Sequence, residues 1–410
     1  MAGTGREFFT VKTVAQALGE FRPRHRTAVE TVTLSAAAGR VPVDEVRAQQ
    51  PLPGFDRSSV DGFAVRAQDT FGATDAIPAY LQIVGQVRMG AAADAAVSAE
   101  TAVAVPTGGM LPTGADAVVM IEHTQEAMPG TIEVTRPVAP GEGIVRGDED
   151  LAPGATIVRP GRPMRAQDVA MLAACGIVEL AVHARPRVAI IATGDEIVAP
   201  ETATLPPGHV RDALSVPIGA LVTEAGGQPT ASAIVPDDRD ALQDTLQRAI
   251  GSSDLVVICA GSSVGGRDET AAAVDGLPHA EIWCHGLAIK PGKPTLLAHS
   301  DGIPIIGLPG NPRSALVVFR LIGMPLVRRV AGIIAQPRPG TVRARLARNL
   351  PSAAGRLDVV QVRLNGDRAE PLFGPSALLS VLTAADGYLI VPEDANGLSD
   401  GDPVDVFVYD

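Results

Sequence analysis

From Arg187 to about residue 331 the chain repeats one pattern: a short, wholly apolar run, a turn of Gly, Pro or small polar residues, then a helix-forming stretch. VAIIATG (188–194), LVVICAG (255–261) and IPIIGL (303–308) are the three apolar runs. Runs without polar alternation belong to strands buried on both faces, and the helical stretches between them are the crossovers that parallel strands require. The expected fold class is an α/β central domain, a parallel sheet covered by helices. Its helices are expected at 213–225, stopped by Gly226 and Gly227, from Asp237 and Asp238 to about 250, after SSVGGRDET, and after PGNPRS to about 331.

The flanks read differently. Residues 1–50 suggest a helix over 11–21 with Thr10 as its N-cap, a strand over 29–34, a short helix and a Pro-bounded extended segment. Between 51 and 140, runs such as YLQIVGQV, TAVAVPTGG, ADAVVMIEHT and TIEVTRPV are broken by Gly and Pro, the spacing of a β-rich insert. Residues 141–185 carry the charged turn GEGIVRGDEDLAPG and a helix over 166–175, and are expected to return to the N-terminal segment. Beyond 334 alternating strands resume as a C-terminal β domain. The division is therefore 1–50 with 141–185, 51–140, 186–333 and 334–410, within the domain count that 410 residues allow.

A net charge of −12, an aromatic share of 3% and no basic run argue against a nucleic-acid surface. Three scattered cysteines without a CxxC pair fit a reducing compartment. The start MAGTGREFF lacks a signal-peptide core, and Arg320, Arg328 and Arg329 interrupt the most apolar C-terminal helix, so a soluble cytoplasmic protein without membrane contact is expected. In such an acidic chain an anionic substrate must be met by local positive charge. Of the 34 basic residues only Lys12, Lys290 and Lys293 are lysine, and two of these lie in KPGKP (290–294). A compact ammonium on a flexible stem does what a planar guanidinium cannot, so lysine at both places marks an anion site more than a rigid Pro-Gly turn.

Three central strands end in polar turns, Thr193 to Glu196, Gly261 to Gly266 and Leu308 to Asn311, and open α/β sheets bind ligands at that edge. The bland alternative is that glycine only permits a tight turn. Backbone N–H groups around Gly261, Ser262 and Ser263 suit a phosphate nest, although neither GxxxxGK[ST] nor GxGxxG is present. Asp195, Glu196 and Asp268 are hard oxygen donors suited to Mg²⁺ on a phosphorylated substrate; helix capping is the competing role. Cys284, His285 and His279 lack a second ligand pair and read as packing, and no GxSxG supports a serine nucleophile.

PGFDRSSVDGFAV (53–65), PTGGMLPTGADAVV (106–119), RGDEDLAPG (146–154), ATGDEI (192–197), AGSSVGGRDET (260–270), AIKPGKPT (288–295) and GLPGNPRSA (307–315) occur in this order. Together they resemble the molybdopterin molybdenumtransferase family, bacterial relatives of the gephyrin C-terminal domain, over nearly the whole chain. The resemblance implies an elongated four-domain homodimer that inserts molybdate into adenylylated molybdopterin with Mg²⁺ and releases AMP. It places the active site between the α/β domain of one subunit and the N-terminal part and β insert of the other. By motif, Asp61, Thr107 and Asp150 would line the cleft from the partner. Asp195, Glu196 and Asp268 would handle metal and phosphate, and Lys290 and Lys293 would hold oxyanion oxygens. Glu196, Asp268, Lys290, Lys293 and Asp61 form the expected catalytic set. Thr107, Asp150, Asp212, Gly261, Ser262, Ser263, Pro309, Arg356 and Ser376 form the expected substrate-binding set.

Departures from the family pattern are Arg57 for Asn, Val60 for Met, Phe63 for Tyr, Asp148 for a glycine, Arg313 for a small apolar residue, a 260–266 loop shorter by one, and 211–215 without Ser/Thr-Asn after Asp212. The altered loops keep open a non-catalytic pterin-binding or scaffold paralogue, and an enzyme acting on another nucleotide is the third reading.

Overall fold

In the computed structural model the described residues are 10–230, 233–260, 269–337 and 339–409. They fall into two compact units, one from the described residues within 1–44, 160–165 and 179–410, the other from Glu45–Arg159 and Ala166–Val178.

The first unit is built on a seven-stranded sheet. Its path runs Gln228–Pro229, Arg187–Thr193, Leu255–Ala260, Ile303–Leu308, Leu296–Ser300 and Glu281–His285, and Ala233–Val235 also pairs with Arg187–Thr193. The three apolar runs are adjacent, parallel strands, with Thr193 beside Ala260 and Cys259 beside Leu308. Val256, Val257 and Ile306 have no exposure, as strands covered on both faces require. The sheet is mixed, not wholly parallel: Leu296–Ser300 runs antiparallel to both Ile303–Leu308 and Glu281–His285. The reason is the Asp301-Gly302 hairpin, whose residues have φ of 49° and 79°, the doubly positive turn that matches strand twist.

The chain leaves Arg187–Thr193 towards one side of the sheet and Leu255–Ala260 towards the other, so the direction reverses between these two strands. Asp254 ties their entry ends together. Its Oδ2 accepts the Arg187 backbone N–H at 2.8 Å and Nε at 3.2 Å, and its Oδ1 pairs with His25 Nε2 at 3.0 Å.

The first helix spans Val14–Glu20, and its N-cap is Thr13, not Thr10: Thr13 Oγ1 accepts from Gln16 N at 3.1 Å and Gln16 Oε1 accepts from Thr13 N at 3.0 Å. Residues ahead of this capping box are drawn into extended pairing, Lys12 against Leu287. The C-terminal strands Leu357–Asn365, Arg368–Pro371, Thr341–Leu346, Pro403–Val408 and Gly387–Val391 close on themselves, because the first also pairs with the last, giving a small barrel. Ile289–Lys290 adds to it in parallel, with Lys290 opposite Asp358.

The second unit holds a six-stranded sheet in the order Ala117–Met120, Gly62–Val65, Thr101–Val105, Ala79–Gln86, Thr131–Val134, Thr124–Met128. Leu81, Ala102, Val119 and Val134 are its core. No helix among the described residues is long and apolar enough to cross a membrane.

Candidate active site

The strand Ile289–Lys290 carries KPGKP to the barrel rim, and a cavity of about 650 Å³ opens there. Lys290, Lys293, Pro309, Arg356 and Ser376, expected separately from the sequence, all line it. The loop is held from behind. Lys293 O accepts the N–H groups of Leu287 at 2.9 Å and Thr295 at 2.8 Å, and Thr295 Oγ1 donates to Gly292 O at 2.7 Å. Gly292 sits at φ 120°, and a Cβ there would lie 2.3 Å from Val318 Cγ2 on the helix Pro312–Val318. KPGKP is thus a rigid turn and a cationic one at once.

Lys293 is exposed and has no carboxylate partner among the described residues. Lys290 Nζ lies 3.8 Å from Asp358 Oδ2 with its side chain 58% exposed, a pair too long and too wet to tie the ammonium down. Arg356 Nε donates to the buried Asp358 Oδ1 at 2.9 Å, which fixes the guanidinium plane. Arg313 N reaches Ser376 O at 3.3 Å, and its Nη1 donates to Gly374 O at 2.8 Å, so this side chain fastens the Gly374–Ser376 loop to the helix after PGNP. Burial pushes the Arg313 pKa down, and the nearby Tyr409 works the other way. Against the four cations Lys290, Lys293, Arg313 and Arg356 stands Asp358, so the cavity is positive in an acidic chain.

Other expected residues stand elsewhere. Asp195 and Glu196 follow the strand Arg187–Thr193, two strand spacings or about 10 Å along the sheet from the Pro309 turn. Asp195 Oδ1 accepts the Asp237 backbone N–H at 3.1 Å. Asp212 Oδ1 accepts the N–H groups of Leu214 at 2.8 Å and Ser215 at 3.0 Å, at the entry to the helix Ser215–Glu224. Gly261, Ser262, Ser263 and Asp268 lie outside the described residues. Among the described residues there is no group of three or more His, Cys, Asp or Glu that could hold a metal ion.

In the second unit Asp61 Oδ1 accepts the Thr107 N–H at 2.8 Å, joining two expected cleft residues on exposed backbone. Asp150 is exposed, and its N–H bonds Leu52 O at 3.1 Å. Asp148, where the resembling family has glycine, has φ 74°, a conformation that glycine adopts without strain.

Sequence reasoning missed Asp358 and gave Arg313 no role. Arg-x-Asp on a strand places both side chains on one face, a period-two signal that was available for Asp358. Arg313 gave none, because its partners are carbonyls some sixty residues away. Cys284 is fully buried, its pKa pushed up to about 12 chiefly by burial, in keeping with packing.

Three family profiles match: "MoeA N-terminal region (domain I and II)" over residues 10–176, "Probable molybdopterin binding domain" over 189–329, and "MoeA C-terminal region (domain IV)" over 343–409. The chain is 33% identical over 385 residues to a protein of Mycobacterium tuberculosis named molybdopterin molybdenumtransferase 2, covering 92% of this chain and 94% of that one. It is 32% identical over 319 residues to a molybdopterin molybdenumtransferase of Nostoc, covering 77% and 72%. A solved structure described as the molybdopterin biosynthesis moeA protein from Pyrococcus horikoshii superposes with a TM-score of 0.84 at 31% identity, covering 97% of this chain and all of that one.

Proposed function

The chain belongs to the MoeA family of molybdopterin molybdenumtransferases, and we propose from that premise that it transfers molybdenum from molybdate into adenylylated molybdopterin, releasing AMP and completing molybdenum cofactor. The observation that carries this reading is the single cavity uniting Lys290, Lys293, Arg356 and Ser376. Molybdate is a tetrahedral dianion, and phosphoanhydride cleavage develops negative charge on oxygens; both call for fixed positive charge more than for a covalent nucleophile.

In this reading Lys290 and Lys293 hold oxyanion oxygens as point charges. Arg356, oriented by Asp358, offers its remaining N–H groups, and Ser376 donates or accepts at the rim. Arg313 positions the Ser376 loop. Asp61, Thr107 and Asp150 line the cleft from a second copy of the chain, so the proposal includes a homodimer. The proposal divides the chain into four domains, 1–50 with 141–185, 51–140, 186–333 and 334–410. Gly261, Ser262, Ser263, Pro309 and Asp212 serve the pterin and nucleotide. Asp195, Glu196 and Asp268 would hold Mg²⁺, which would supply charge neutralisation at the phosphates.

The test is to supply purified protein with adenylylated molybdopterin, molybdate and Mg²⁺. AMP release together with active cofactor is the expected result. Pterin binding without turnover contradicts the transferase reading and selects the scaffold alternative.

A further inference from the structure

We propose that a second anion site lies apart from the lysine cavity, and that it binds a dianionic phosphate group. A cavity of about 320 Å³ is lined by Arg40, Arg185, Arg328 and His183 together with the end of the helix Ser215–Glu224, and it shares no lining residue with the cavity at KPGKP.

The charge inventory gives the ligand class. Arg40 is 8% exposed and already spent: it pairs with Glu30 and donates to His183 O at 2.9 Å. Glu224 lines the cavity as well; both its carboxylate oxygens meet Arg320, at 3.3 and 3.4 Å, and its charge also favours that of Arg328 without a hydrogen bond between them. Burial lowers the His183 pKa, so the ring enters the wall uncharged at neutral pH. Arg185 and Arg328 remain, and neither makes a side-chain hydrogen bond or ion pair within the described residues. Arg328 is half-buried; burial and the neighbouring Arg320 work against its charge, and Glu224 works the other way. A guanidinium withdrawn from water without a hydrogen-bonded partner is unfavourable, and a bound anion that accepts its N–H groups reduces the penalty. Two planar forks facing one small cavity suit phosphate oxygens, and their two charges match a phosphate dianion.

The opposing account is that these arginines only complement helix C-termini. The helices Ser215–Glu224 and Met324–Val330 both end at this cavity, with Arg328 in the last turn of the second. Each such end carries about half a negative charge. Both are also capped by backbone, Ala225 N to Leu221 O at 3.0 Å and Ile333 N to Arg328 O at 2.9 Å. Two free guanidinium groups exceed what those ends neutralise.

The experiment uses the full chain carrying Lys293→Ala, which weakens the lysine cavity, and titrates it calorimetrically with inorganic phosphate and separately with AMP at low ionic strength. Saturable binding is expected, weakened at least tenfold by Arg328→Gln and by Arg185→Gln. Arg26→Gln, a nearby exposed charge outside the lining, changes it less than twofold. Tighter binding of AMP than of phosphate identifies a nucleotide as the source, and equal binding identifies the free ion. Because Arg185 is exposed, its variant decides the matter even if Arg328→Gln fails to fold. No saturable binding, equal affinity in Arg185→Gln and its parent, or an equal loss in Arg26→Gln overturns the proposal and leaves the arginines to the helix ends.

Discussion

Lys293 is where the chemistry becomes most specific. Its ammonium has no carboxylate partner among the described residues, and the loop behind it is pinned by three hydrogen bonds, so the charge stands ready for a ligand. Lys293→Arg is expected to keep the fold and lose most transferase activity, because a planar fork does not replace a point donor on that turn; full activity would remove the assigned role. Asp358→Asn acts differently, since it frees the Arg356 plane without removing a cation. Turnover should fall about tenfold while KM for molybdate does not rise, the signature of lost orientation rather than lost binding. Away from the site, Asp254 offers a stability test. Burial would raise its pKa, but the hydrogen bonds from Arg187 and His25 outweigh burial and hold it below the usual carboxylate range. A depressed folded pKa gives stabilisation that is present above the unfolded value of about 4 and is lost as pH falls through the folded value. Urea unfolding should therefore show Asp254→Asn weaker by about 1–3 kcal/mol at neutral pH, the gap closing in acid. A gap independent of pH would refute the linkage.

At the scale of elements, the strand-and-turn grammar was largely legible and the pairings were not. The three apolar runs announced adjacent strands, since a run without polar alternation has few other stable places. The antiparallel edge was not anticipated although Asp301-Gly302 is a strong hairpin dipeptide, because no strand was expected at 296–300 for that turn to join. The first helix was found and its cap was not: Thr10 and Thr13 both suit an N-cap, and only the Gln16 side chain decides between them. Turns set by backbone geometry yield two expectations. Gly292→Ala places a Cβ 2.3 Å from Val318 Cγ2 at a φ of 120°, which should cost about 1–3 kcal/mol and displace Lys293, seen as lost activity together with a lower thermal midpoint. Asp148→Gly, at φ 74°, should stabilise the second unit by about 0.5–1 kcal/mol, because the relief of αL strain exceeds the entropy that glycine adds to the unfolded chain.

Across the whole molecule, the site is a local reversal of the chain's overall sign: four cations around a cavity in a protein of net charge −12. Lysine usage pointed to it because arginine is the default cation here, so two lysines in five residues stood out against their own background. Arg356 and Ser376 came only through motif resemblance, since joining them to KPGKP needs the parallel addition of Ile289–Lys290 to the barrel, a long-range pairing that no local pattern encodes. The carboxylates were legible as residues but not in their local bonding: Asp212 Oδ1 accepts the N–H groups of Leu214 and Ser215, and Asp195 Oδ1 accepts that of Asp237. The most direct measurement is a crystal of the full chain soaked with molybdate, with data collected at the molybdenum absorption edge. The anomalous peak is predicted inside the cavity, within hydrogen-bond reach of Lys293 and bounded by Lys290, Arg356 and Ser376. A well-occupied peak elsewhere with that cavity empty would contradict the account.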